Sequence, residues 1–236
     1  MSQFETSAIR TQAEQSQYRE HSVPLYLSSS YTFESAEQMR ALFADEAEGN
    51  IYSRYSNPNT TELIDKLCCM EEAEAGWATA SGMAAVFTSL AALLSAGDHV
   101  VACRSVFGST HQLFTKILPK WGIQHTYVDI NADDEVWIEA ITPETKLIFA
   151  ETPSNPGVEI IDLERLGKLA KAHELLLLID NCFATPYIQK PIRYGADLVI
   201  HSATKYMDGQ GRVLGGLIAG KKELIASVEA FARHSG

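Results

Sequence analysis

The stretch ADLVIHSATKYMDGQGRVLGGLIA (residues 196–219) decides how the chain is read. A β-like run at 196–200 leads into Ser202, Thr204 and Lys205; a glycine-rich loop follows, and a second strand-like run covers 213–219. Lys205 is the only lysine between Lys190 and Lys221, and it stands where a strand empties into a turn. In open α/β sheets the ligand crevice lies beyond the carboxyl ends of the strands. A lysine there, flanked by two hydroxyls and freed from helix geometry by three glycines, suits a Schiff-base amine beside a phosphate. A solvated loop lysine is the plain alternative.

Outward from this stretch, strands and helices alternate. Strand patterns fall at 77–80, 98–103, 123–128, 146–151, 175–180 and 197–201. Between them lie helical patterns at 61–74 (Leu63, Leu67 and Met70 on one face), 82–94, 109–118, near 133–141, and 162–173 capped by Asp162. This order predicts an α/β fold, a mostly parallel sheet of about seven strands with helices on both faces. Residues 202–212 carry no helical pattern and are too few for a parallel crossover, so 213–219 is expected to return antiparallel. A last helix is expected over 221–233.

The first sixty residues differ. Residues 1–20 have too few apolar positions for a helix, 23–33 is extended in character, and Ser35 is placed to cap a short helix through Phe43. A turn-rich loop then runs from Gly49 to Pro58. So much surface with so little core predicts an arm, 1–59, that packs on another subunit, with the α/β domain over 60–236.

Composition bounds the partners. The 236 residues are 46% hydrophobic and 21% charged, ordinary for a soluble domain. The formal charge of −11 argues against nucleic acid or an anionic membrane. The longest apolar run, 175–179, is a buried-strand length, and the first fifteen residues lack the apolar core of a secretory signal; a cytoplasmic location is expected. Cys68, Cys69, Cys103 and Cys182 show no metal or redox spacing and the histidines are scattered, so no metal site is expected.

Four strand-end loops carry polar residues that suit one ligand. Ser81-Gly82-Met83 lies where a strand gives way to a helix, so backbone N–H groups and the helix dipole can hold a phosphate. Glu151-Thr152-Pro153-Ser154-Asn155-Pro156 follows a β-run, and its prolines aim the Asn155 amide. Asp180 ends a run so apolar that its charge needs a partner, a helix cap or ion pair on the plain reading, a protonated pyridine nitrogen on the other. Ser202, Thr204 and Lys205 complete the set. An amine, an acid for a ring nitrogen, an amide for a ring hydroxyl and a phosphate cradle together match pyridoxal 5'-phosphate (PLP). A near P-loop, Gly215 to Lys221, lacks the Ser or Thr that would ligate magnesium, since Lys222 follows.

With these residues stated, the chain resembles the Cys/Met metabolism (cystathionine γ-synthase-like) family of fold-type I PLP enzymes. The carriers are YSRYSNPN (52–59), ATASGMAA (78–85), CRSVFGST (103–110), ETPSNP (151–156), LIDNCFATP (178–186) and HSATKYMDGQGR (201–212). The resemblance implies the aspartate-aminotransferase-like large domain. It also implies a dimer with shared active sites, further assembled into a tetramer, in which Tyr52 and Arg54 reach a neighbour's cofactor phosphate. Ser81, Gly82 and Met83 with Ser202 and Thr204 would hold the phosphate. Asn155 would meet the ring oxygen, Asp180 the ring nitrogen and Lys205 the aldehyde. Phe107 stands where many relatives place a ring-stacking tyrosine, so it can stack but not move a proton. That departure favours the succinylhomoserine-sulfhydrylase branch. The implied reaction is γ-replacement on an activated homoserine ester with sulfide, giving homocysteine in methionine biosynthesis. Cystathionine γ-synthase, O-acetylhomoserine sulfhydrylase and methionine γ-lyase chemistry stay open, as does a non-catalytic PLP-binding or assembly role. The family's C-terminal domain, with its arginine for the substrate carboxylate, is expected to be missing from a chain that stops at Gly236. Arg193, Arg212 and Arg233 match no motif for that role.

Overall fold

The computed structural model describes residues 3–235. Two short helices, α1 (Phe4–Arg10) and α2 (Ala36–Phe43), belong to the arm, and α3 (Pro58–Glu71) opens the domain. Then come β1 (Ala75–Thr79), α4 (Gly82–Leu93), β2 (His99–Cys103), α5 (Gly108–Gln112) and β3 (Gln124–Val128). They are followed by α6 (Asp134–Glu139), β4 (Thr145–Glu151), α7 (Leu163–Ala172), β5 (Leu176–Asp180) and α8 (Thr185–Ile188). The chain closes with β6 (Leu198–Ser202), β7 (Gly216–Gly220) and α9 (Lys222–Ser235).

The seven strands form one sheet in the order β1-β7-β6-β5-β4-β2-β3. β7 runs antiparallel to both its neighbours, β1 and β6, and the other pairings are parallel. The expected architecture is therefore present, including the antiparallel return. One face of the sheet (Val100, Leu147, Leu178, Ile200, Ile218) packs on α4, α9 and the helical turns after α5. The other face packs on α6 and α7 through Val101, Ile148, Ile179 and Val199, and on α3 through Leu67, Leu217 and Ala219. Among the described residues no helix is long and apolar enough to cross a membrane.

Local chemistry sets the element ends. Ser35, Asn57, Ser81 and Asp162 each cap the following helix with a side-chain oxygen. α3 starts at Pro58, earlier than the expected 61, because Asn57 caps it and proline suits the first turn. It ends at Glu71, since Glu72 turns left-handed at φ 64°. The helix expected over 109–118 is α only to Gln112; a π-helical turn follows at Leu113–Ile117 and a 3₁₀ turn at Leu118–Trp121, where Pro119 enters. α1 was not expected; it buries no residue and docks by its edge, with Phe4 against Tyr187 at 5.3 Å. The run at 213–219 joins the sheet only from Gly216: Val213 and Leu214 are exposed, and Gly215 is held by Thr204 instead. The near P-loop is excluded by the same pairing, because Gly216–Gly220 is a strand bonded on both sides. The arm is mostly exposed, with Leu25 80% and Leu27 93% accessible.

Candidate active site

Strand pleating decides which residues share the site. Glu151 pairs with Asp180 across β4 and β5, and Asp180 pairs with Ile200 on β6. Ser202, two residues on, lies on the same face and pairs with Gly216, which also pairs with Thr79. Glu151, Asp180 and Ser202 therefore end three adjacent strands on the α4 side of the sheet, at their carboxyl ends.

The N-terminus of α4 meets this edge. Ser81 caps the helix by accepting the Ala84 N–H at 3.1 Å, which leaves the Gly82 and Met83 N–H groups at the helix end. Gly82 lies so close to β6 that a Cβ on it would stand 2.5 Å from Ser202 Cβ and 3.0 Å from Ser202 Oγ. Gly216 is equally tight: its Cβ would stand 2.0 Å from the Ser81 carbonyl. Glycine at both positions lets a helix N-terminus and a serine hydroxyl converge within one hydrogen-bonding radius. Met83 Sδ accepts from the Thr110 hydroxyl at 3.7 Å, which fixes its side chain away from the cradle.

Asp180 accepts the Cys182 N–H at 3.1 Å and has no salt-bridge partner among the described residues. Burial pushes its carboxyl up to about 6, with the Cys182 N–H and His201 pulling the other way. Glu151 is a site residue whose role the sequence motif alone did not reveal. It is 3% exposed, and burial, then the neighbouring Asp180, push it up to about 8, against N–H donation from Phe107 and Asn155. The Phe107 N–H donates to Glu151 Oε2 at 2.6 Å, which ties the Phe107 backbone to the end of β4 while its ring is exposed. The sequence carries a signal for Glu151, a carboxylate closing an apolar β-run as Asp180 does.

Asn155 is half-buried in the loop after β4, between Pro153 and Pro156, each preceded by a cis peptide bond. That loop is tied to the Phe107 loop by Ser105, whose hydroxyl donates to Glu159 at 2.6 Å. Lys205 is exposed in the turns after β6, and its amine has no hydrogen-bond or ion-pair partner among the described residues. The Thr204 hydroxyl accepts the Gly215 N–H at 3.1 Å and so also anchors the loop that leads into β7. Tyr52 and Arg54 are not drawn into this group within one chain. The Arg54 guanidinium donates to the Arg233 carbonyl and lies over the rings of Tyr52 and Tyr55, at 5.4 and 5.0 Å. The other arginines weighed are engaged too: Arg193 with Glu72, Arg212 with Asp208, Arg233 with Glu229 and Asp45.

These residues fit a phosphorylated pyridine aldehyde. Gly82 and Gly216 keep a cradle open that a Cβ would fill. Asp180 is a carboxylate that burial destabilises and that has no salt-bridge partner among the described residues, a lack that a protonated ring nitrogen would meet. Lys205 is an amine without competing partners among the described residues.

Comparison with known proteins places the chain in a family. A family model described as Cys/Met metabolism PLP-dependent enzyme matches residues 5–236. The chain is 46% identical over 233 residues to the O-succinylhomoserine sulfhydrylase of Pseudomonas aeruginosa, covering 99% of this chain and 58% of that protein. It is 44% identical over 220 residues to an L-methionine gamma-lyase of Fusobacterium nucleatum subsp. polymorphum, covering 93% and 55%. A solved O-acetylhomoserine (thiol)-lyase of Campylobacter jejuni, which carries N'-pyridoxyl-lysine-5'-monophosphate, superposes with a TM-score of 0.91 at 37% identity, covering 96% of this chain and 56% of that one. The chain thus spans less than two thirds of the length of the relatives it matches.

Proposed function

The chain belongs to the Cys/Met metabolism PLP-dependent enzyme family, and from that premise we propose that it forms the cofactor-binding part of an O-succinylhomoserine sulfhydrylase, which replaces the γ-succinyloxy group with sulfide, releasing succinate and giving homocysteine. The observation that carries the reading is Asp180, a carboxylate held without a cation on the sheet face where Gly82 and Ser202 meet. PLP, when bound, supplies an aldehyde for amino groups and a ring that accepts electrons.

The chain's own residues then divide the work. The Gly82 and Met83 N–H groups and the Ser202 hydroxyl hold the phosphate, with Thr204 bracing the loop behind it. Asp180 keeps the proton on the ring nitrogen, and Asn155 orients the ring from its oxygen side. Phe107, fixed through Glu151, covers the ring and excludes water but offers no proton. Proton movement at the substrate's α and β carbons therefore falls to Lys205 Nζ. Tyr52 and Arg54 serve the phosphate of a neighbouring subunit, which makes a dimer the smallest active unit and gives the exposed arm a surface to cover. The substrate carboxylate is gripped by a residue other than Arg193, Arg212 or Arg233.

A second reading, elimination from methionine, is favoured by the near-equal identity to the methionine gamma-lyase. The test presents the purified full-length protein, loaded with PLP, with O-succinylhomoserine and sulfide, or with methionine alone. Homocysteine from the first mixture supports the sulfhydrylase reading; a 2-oxo acid and thiol from the second supports the lyase. Borohydride reduction should leave the pyridoxyl group on the peptide containing Lys205, and labelling elsewhere overturns the site.

A further inference from the structure

Behind the candidate site, on the opposite face of the sheet, lies a polar cluster that the chemistry above does not use. Glu71, the last residue of α3, is fully buried. Its Oε1 accepts from His201 Nε2 at 2.6 Å and from Asn181 Nδ2 at 3.0 Å, and both donors belong to fully buried residues. Asn181 also donates to the Gln189 carbonyl at 2.8 Å, and the Gln189 amide donates to Asn181 Oδ1 at 2.8 Å and to the Thr152 carbonyl at 2.9 Å. One carboxylate oxygen is thus the hub of bonds reaching the ends of β4, β5 and β6.

The two residues it grips are the immediate neighbours of site residues: Asn181 follows Asp180, and His201 precedes Ser202. Backbone pairing holds each on one side only, His201 opposite Leu217 on β7 and Asn181 by its own N–H, and no strand rung joins Asp180 to Ser202 directly. The β5–β6 ladder ends with Asp180 opposite Ile200, closed by the Asn181 N–H to the Ile200 carbonyl at 2.9 Å. Beyond that rung the strand ends share, among the described residues, a thiol contact from Cys182 to the Ser202 carbonyl at 3.6 Å. The side-chain bonds to Glu71 therefore begin where the ladder stops. A buried ion-pairing group gives little net stability against apolar packing, and its best-attested use is to fix register.

We propose that Glu71 is the positioning residue of the cofactor site, its Oε1 setting the spacing between the ring acid on β5 and the phosphate hydroxyl on β6 by gripping Asn181 and His201 from behind. Glu71 touches neither cofactor nor substrate and acts through those two residues. The proposal rests on the reading that Asp180 and Ser202 bind one PLP molecule.

The test compares PLP affinity and the visible circular dichroism of bound PLP in the full-length protein and its E71A, E71Q, D180N and S202A variants. E71A removes the hub and should weaken PLP about tenfold and change the dichroic band. E71Q keeps one acceptor oxygen in place and should restore both to within about twofold of the parent. E71A with unchanged affinity and dichroism overturns the proposal, as does E71Q as impaired as E71A, which would assign the effect to charge. Should E71A fail to fold, H201A and N181A each remove one arm, and a parental dichroic band in both overturns it equally. If D180N and S202A also bind PLP as the parent does, it is the cofactor reading that fails.

Discussion

Asp180 lies directly across the β4–β5 ladder from Glu151, with both carboxyl groups on the same face of the sheet. Burial raises both, and their mutual repulsion adds to the shift of Glu151. Two carboxyls in this relation titrate as a pair, with one of them keeping its proton near neutrality. A cation arriving at Asp180 relieves the repulsion, so the site is electrostatically incomplete until one binds.

The pair gives the cofactor-free protein a pH signature. Each carboxyl holds its proton more tightly folded than unfolded, so its contribution to stability is full below its ordinary value near 4. That contribution is lost as pH rises through about 6 for Asp180 and about 8 for Glu151. E151Q should therefore be more stable than the parent by ~2 kcal/mol above pH 8 and equal to it near pH 4. Urea unfolding of both proteins across pH 4–9 checks this; parallel curves would sink it.

Substituting Asp180 separates holding the cofactor from activating it. D180N keeps the shape and the Cys182 contact but cannot hold a ring proton by charge. PLP should still attach, though more weakly than to the parent, while turnover drops by roughly 10²–10³. Parental turnover in D180N would remove Asp180 from its role.

G82A tests the cradle. The new Cβ would stand 2.5 Å from Ser202 Cβ, so α4 or β6 must shift. Overpacking of this kind costs about 1–3 kcal/mol, and PLP affinity should fall at least about tenfold because the N–H groups move with the helix. Calorimetry of the apoprotein and PLP titration read the two effects separately. Unchanged affinity would mean that the phosphate is held elsewhere.

The shared site can be tested by mixing subunits. K205A and R54A should each be nearly inactive alone. After unfolding and refolding together, half the dimers are hybrids with one native site of two, so about a quarter of parental activity should return. A mixture as inactive as its components would place Arg54 in its own subunit's site or in none.

Much of this was legible along the chain, for a physical reason. Ser35 and Asp162 cap the helices they precede because capping is a contact over three residues, and the antiparallel β7 follows from a connection too short to cross over. Asp180 and Ser202 close strong β-runs and Lys205 follows one in the next turn, which is what makes each readable as a candidate. What escaped was settled by distant partners. Glu71 and His201 meet across 130 positions, and nothing near Glu71 in the sequence announces it. Val213 and Leu214 have strand propensity but no partner strand, since Thr204 takes Gly215 first. α1 rests on α3 and on Tyr187, partners distant in sequence that no local pattern encodes.

The insertion of β7 between β1 and β6 also fixes an order of assembly. Until residues 216–220 leave the ribosome, β1 has no seam to the remaining strands, and the two edges that must embrace a phosphate belong to separate pieces. On the proposed reading, a chain ending before Gly216 would hold Lys205 and Asp180 yet lack the strand that brings Gly82 beside Ser202, so completing the sheet and closing the cradle are one event.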